Sequence, residues 1–257
     1  MNRKNFLKFS IYFAFFALLL GGAWGQKKYT WTGDGEDFAW KNASNWEDEG
    51  GNNSGYPKSA TDIAIINDGT VTMNDAVSIA SLTLGNSNET SAILDLNGKN
   101  LTVSGDFTMA SDAILISNGT GTVSNVTSMD NGATVRYVEG GTNQGFNITV
   151  GGNFTYGKLE VSGGSFELPA DEDLTVTGTS TIAGNITTSG NQTYTGNVTL
   201  GGTNDTITLT ANDGTDNSTV TFNDKVVGGS NSLTIDGKAV FGKTVSGVNE
   251  LEVTGTS

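Results

Sequence analysis

A five-residue unit of an apolar residue, Thr or Glu, a second apolar residue, any residue and Gly returns seven times along the chain. The copies begin at Leu101, Ile148, Leu159, Leu174, Val198, Leu233 and Leu251. An eighth, Leu82-Thr83-Leu84-Gly85, carries its Gly one place early. Within each unit apolar and polar residues alternate, which puts their side chains on opposite faces of a strand. Other runs share the alternation, among them Val135-Arg136-Tyr137 and Ile207-Thr208-Leu209. Turn pairs such as Asp68-Gly69, Asn97-Gly98 and Asp236-Gly237 punctuate the runs, and they tolerate the positive φ of tight turns. No helical period appears after Lys28, so this part of the chain reads as all-β.

The copies are unevenly spaced. Propellers and α-solenoids keep a stricter period, whereas a β-solenoid lets each turn lengthen at its corners while the strands stay stacked. The unit then predicts a parallel β-helix: two apolar residues point inward and stack on equivalents one turn away, the central Thr or Glu faces solvent, and Gly closes the corner. With about 20 to 25 residues per turn, roughly nine turns at ~4.8 Å each are expected. Two Pro in 257 residues agree with this, since Pro removes a ladder hydrogen bond. Short strands with frequent turns also suit antiparallel β-sandwich modules, the competing architecture.

The N-terminus reads as an address. Arg3, Lys4 and Lys8 precede the apolar run from Ile11 to Leu20, and Ala23-Trp24-Gly25 supplies small residues at the −3 and −1 positions of a cleavage site. That is the three-part pattern of a secretory signal peptide over residues 1–25. The apolar run is short for a bilayer span of about 20 residues, and no later segment reads as a membrane-spanning helix. Thirteen Lys and Arg against 27 Asp and Glu give a net charge of −14. Removing the three basic residues of the leader leaves 10 − 27 = −17, a surface that repels nucleic acid and anionic lipid. Cys and His are absent. Disulfides, thiolate or imidazole metal sites, cysteine nucleophiles and Ser-His-Asp chemistry are therefore excluded.

Residues 26–66 differ from the rest. Trp31, Trp40 and Trp46 fall here with Tyr29, Phe38, Tyr56 and Pro57. A first solenoid turn must be covered, or its strand edge and apolar interior would template aggregation, and an aromatic capping segment over 26–66 meets that need. The functional reading of Trp31, Trp40, Trp46 and Tyr56 is a platform on which sugar rings stack, with Asp34, Glu36 and Asp37 accepting hydroxyl hydrogen bonds. The packed cap is favoured, because clustered Trp at a domain start supplies large apolar area. Repeats follow over 67–257, the chain reading either as the front part of a longer protein whose repeats continue or as a short secreted relative.

Other chemistry is thinly supported. Asp34-Gly35-Glu36-Asp37, Glu47-Asp48-Glu49 and Asp171-Glu172-Asp173 offer carboxylates for glycosidic acid–base work, but they read as solvated loops. Asp171 and Asp173 follow Pro169 and precede a repeat unit, so a corner is expected there. Residues 212–217 (Asn-Asp-Gly-Thr-Asp-Asn) gather oxygen donors of the kind Ca²⁺ takes, without an EF-hand or β-roll pattern. No catalytic residue, metal site or cofactor is assigned.

The order Trp31-Thr32-Gly33, Trp40, Asn45-Trp46, Pro57, Asp62-Ile63-Ala64-Ile65-Ile66, followed by Leu-Thr-Val units, resembles the start of autotransporter and filamentous-haemagglutinin-like bacterial surface adhesins. That resemblance implies a right-handed parallel β-helix with an aromatic N-terminal cap. It also implies a secreted, cell-surface or outer-membrane location, and a non-enzymatic role in recognising a host matrix protein or glycan, with no nucleic acid partner. The outer-membrane barrel that anchors autotransporters has no counterpart in the sequence. Two other functions remain open: a polysaccharide-active β-helix enzyme, and a purely structural stalk.

Overall fold

A computed structural model describes residues 25–255, apart from 88–89, 119, 125, 139–143, 146, 204 and 213–217. The leader assigned to residues 1–25 lies outside it except for Gly25. Among the described residues every regular element is a strand, save one 3₁₀ turn at Ala43–Asn45. Among the described residues no helix is long and apolar enough to cross a membrane.

The strands stack in parallel around a coil with three strands to a turn. One turn runs Ser81–Leu84, Ala92–Asp95, Leu101–Val103, and the next begins at Phe107–Met109. The second strand of each turn joins one continuous nine-stranded sheet that runs from Gly69–Thr72 to Val245–Ser246. Eight steps of about 4.8 Å span roughly 38 Å. The first-strand face is divided between a sheet that ends at Val126–Met129 and one that starts at Phe154–Tyr156. Val126 and Val150 bridge the two. The third-strand face holds the pair Val77–Ile79 and Leu101–Val103, and later a six-stranded sheet from Gln144–Gly145 to Leu251–Val253. This is the β-solenoid expected, and the sandwich alternative is set aside by parallel pairing throughout the coil.

Alternation explains the core. In the nine-stranded sheet, one inward column reads Val71, Leu94, Leu115, Val135, Leu159, Ser180, Val198, Val226 and Val245 in strict register. All but the last are buried. The first-strand face carries Tyr156, Val176, Tyr194, Phe222 and Phe241 in the same way. There Tyr194 stacks on Phe222 at 5.4 Å and Phe222 on Phe241 at 5.3 Å, with rings tilted by only 13° and 6°. The rung spacing imposes that stack, because side chains at equivalent positions sit one strand apart. Phe107, Phe154 and Phe166 also point inward and are buried.

One expectation is corrected. The five-residue units do not form one stacked column. Leu82–Leu84 and Leu174–Val176 are on the first face, Leu159–Val161 and Val198–Leu200 on the second, Leu101–Val103 and Leu233–Ile235 on the third. Of the units, Leu233–Ile235 and Leu251–Val253 stack on each other. The unit is thus the signature of any strand that enters a corner, not of a whole turn. Turn length varies as well: partners in the long sheet are 18 residues apart from Ser180 to Val198 and 28 apart from Val198 to Val226.

Gly closes the corners for two distinct reasons. Gly163, which ends the Leu159 unit, has φ of 79°, a region costly for residues with a Cβ. Gly178 has no positive φ. Its N–H donates to the Gly157 carbonyl one turn below, and a methyl added at Gly178 would come within 2.5 Å of that oxygen. Gly196 repeats the contact on Gly178.

Candidate functional site

The aromatic segment packs on the first turn. Lys28–Trp31 pairs in parallel with Ile63–Ile66 and antiparallel with Trp46–Asp48, so the cap ends its sheet in an antiparallel strand. Ile63–Ile66, within the range read as cap, is already a strand of the coil, paired with Ser81–Leu84. On the second face, the Trp40 N–H donates to the Thr72 carbonyl, and the Thr72 N–H donates to the Phe38 carbonyl. These bonds cover the edge of the long sheet.

Trp31 is 4% exposed, and Trp40 and Trp46 are 0% exposed. The Trp46 ring meets Trp31 at 5.1 Å and Trp40 at 4.9 Å, both edge-on, the arrangement ring quadrupoles prefer. Trp40 Nε1–H donates to the Pro57 carbonyl and Trp46 Nε1–H to the Trp40 carbonyl, so the indole N–H groups of the two fully buried rings are partnered. Asn45, also buried, accepts from the Gly35 N–H and donates to the Asp37 and Ala39 carbonyls. The spacing Trp-x-Gly has a local cause: Gly33 at φ 69° brings its backbone close to the Trp31 indole, where a Cβ would sit 3.3 Å from Nε1. No face of these three rings is open to a sugar. Tyr56 is half-buried, with the Lys58 ammonium 5.0 Å from its ring centre.

The carboxylates near the cap organise loops. Asp37 accepts from the Asn42 amide, the Ala39 N–H and the Asn45 amide. The Asn42 bond first, and then Ala39, hold its carboxyl below the usual carboxylate range. Asp48 accepts from the Ser54 hydroxyl, the Gly50 and Asn52 N–H groups and the Asn52 amide, and is lowered chiefly by Ser54. A shallow hollow lined by Lys27, Lys28, Asp48, Glu49 and Asn52 lies beside it. Asp171 and Asp173 occupy the corner expected of them, between Ser165–Glu167 and Leu174–Val176. There the Asp173 carboxylate accepts from the Asn191 N–H one turn above. Among the described residues no group of three acidic side chains is placed to hold a metal. The calcium candidate at 212–217 lies outside them but for Asn212.

What the coil does display is an outward ladder. On the first face Thr155, Thr175, Thr193 and Thr221 stand in register over four successive turns, followed by Val240. Thr155 is exposed and the other three half-exposed. On the second face, the outward column includes Arg136, whose guanidinium is 2.5 Å from the Glu160 carboxylate one turn above. The Thr ladder was not singled out from the sequence, because the turns that carry it are separated by unequal lengths of chain. No protein-family model matches the chain, nor does a curated protein or a solved structure.

Proposed function

We propose that the protein is an exported, non-enzymatic, adhesin-like β-helical protein of a bacterial surface that recognises a host matrix protein or a glycan along its side faces. The observation that carries this reading is the Thr ladder. Four short polar side chains at a repeat of about 4.8 Å make a flat polar strip, suited to many weak contacts with an extended ligand rather than to one pocket. The buried Trp cluster leaves recognition to such a strip. Export follows from the leader pattern at 1–25, and the acidic surface steers the protein away from nucleic acid.

A glycan array and immobilised matrix proteins test this, with Thr175→Lys/Thr193→Lys as the variant. Binding that the variant loses, with an unchanged melt, supports the reading. Absence of any binding favours a structural stalk, and cleavage of a polysaccharide favours the enzyme; either result overturns the proposal.

A further inference from the structure

One step in the middle of the coil is built differently from the rest. On the first face Val126–Met129 closes one sheet and Phe154–Tyr156 opens another, and among the described residues the two strands share no ladder. A tight turn is wedged there instead. Val150 and Asn153 exchange backbone hydrogen bonds of 2.8 and 3.1 Å around Gly151 and Gly152, whose φ values are 58° and 83°. The Gly151 N–H donates to the Val126 carbonyl and ties this turn to the strand below. On the third face Leu101 bridges to Val123, and the next sheet starts at Gln144–Gly145. Here the Asn147 side chain links the turns, its amide donating to the Gly121 carbonyl and its oxygen accepting from the Ser117 hydroxyl at 3.0 Å. Among the described residues the second face alone runs through: Ile114–Ser117 pairs with Thr134–Tyr137, and Thr134–Val138 with Lys158–Ser162. The Arg136–Glu160 ion pair crosses the same step.

Two buried hydroxyls close this step from within. The Ile148 N–H donates to Tyr137 Oη at 3.2 Å, the Tyr137 and Tyr156 hydroxyls are 3.2 Å apart, and Tyr156 donates to the Ile148 carbonyl at 2.6 Å. With the Tyr156 proton committed to Ile148, Tyr137 is the donor between the two hydroxyls. Tyr137 belongs to the continuous second face and Tyr156 to the interrupted first face, and both are 0% exposed. This small ring of bonds therefore joins the face that is whole to one that is not. We propose that the step is a hinge: the second-face sheet is its axis, the paired tyrosine hydroxyls are its latch, and the coil opens on its first and third faces.

Stacked coils open at the boundaries between cooperative units, where neighbour-to-neighbour bonding is weakest. Two interrupted ladders at one step make such a boundary. Opening tilts the capped N-terminal stack against the stack that carries Thr155, Thr175, Thr193 and Thr221. The polar strip begins directly after the hinge, so its direction relative to the cap changes while its own spacing does not.

Spin-label distances on the full chain test this, with circular dichroism as the check on folding. One pair of labels, on cysteines at Thr83 and Thr193, spans the hinge on the first face. The other, at Thr72 and Thr181, spans it on the second face, five strands apart along the continuous sheet. Both pairs should give single narrow distances in the latched protein. Tyr137→Phe/Tyr156→Phe keeps both rings and removes the hydroxyl bonds. It should add a population to the first-face pair that is longer by about one rung, ~5 Å, or more, and leave the second-face pair unchanged. If that variant does not fold, urea below the main transition replaces it, and the first-face pair should lengthen at a lower concentration than the second-face pair. A first-face distance that does not move, or two pairs that lengthen together, would overturn the proposal.

Discussion

Ser180 interrupts the inward column of the long sheet, with Leu159 below and Val198 above it in register. The residue is 2% exposed, and its hydroxyl finds no hydrogen-bond partner among the described residues. Burying an unpaired hydroxyl costs about 1–3 kcal/mol. Ser180→Ala removes that cost and leaves a hydroxyl-sized void of about 10 Å³, which at ~24 cal/mol per Å³ returns only ~0.2 kcal/mol. The variant is therefore expected to be more stable by about 1 kcal/mol, a rise of about 2–4 °C in the melting midpoint for a chain of this size. The reverse change one rung up, Val198→Ser, loses apolar burial and adds an unpaired hydroxyl, and should cost about 3 kcal/mol. Calorimetry or urea denaturation followed by circular dichroism measures both, with midpoints compared directly because a stacked coil need not melt in one step. A lower midpoint for Ser180→Ala would show that the hydroxyl is satisfied, and the register argument for this column would fail.

Three further outcomes are expected. Trp46→Ala removes the ring that joins Trp31 and Trp40 and should cost about 3–5 kcal/mol, read as a lower melt and a loss of near-ultraviolet tryptophan dichroism; an unchanged melt would mean that the cap does not hold the first turn. Gly178→Ala drives a methyl onto the Gly157 carbonyl and should cost about 1–3 kcal/mol in the same melt, whereas a neutral result would deny the close stacking of these corners. Burial raises the Tyr137, Tyr156 and Tyr194 hydroxyls above their ordinary value near 10, so the native state holds protons that the unfolded chain releases; stability should be full below about pH 10 and then fall by up to ~1.4 kcal/mol per pH unit per tyrosine. Tyr194→Phe should make that alkaline decline shallower in pH-dependent denaturation, and an equal slope would contradict the burial.

The coil was legible in the sequence because alternation and corner glycines are local. Leu101-Thr102-Val103 reads as inward, outward, inward from its own side chains, and it folds so. What the sequence could not supply is which strands share a face. That depends on corner lengths that differ from turn to turn, so the seven units looked like one repeated rung when six of them are strands spread over three faces and the one at Ile148 forms no strand, only isolated bridges at Val150. The Thr155–Thr221 ladder escaped notice for the same reason: its members become neighbours only through register. The aromatic segment was legible as a cap because bulky rings at a solenoid end have an interior to cover. The hydrogen bonds that pin it, such as that from Trp40 to Pro57, rest on long-range placement that composition cannot show.

Stacked register is the central claim, and the absence of Cys gives a clean background for measuring it. The outward column Thr72, Asp95, Ile116, Arg136, Glu160, Thr181, Thr199, Val227, Ser246 climbs the long sheet one strand at a time. Spin labels on cysteines at Thr72 and, in turn, at Thr181, Thr199 and Ser246 should give electron–electron distances near 24, 29 and 38 Å, about 4.8 Å for each added strand. Distances that fail to grow in that order, or that fold back as they would between two antiparallel sandwich modules, would contradict the β-helix.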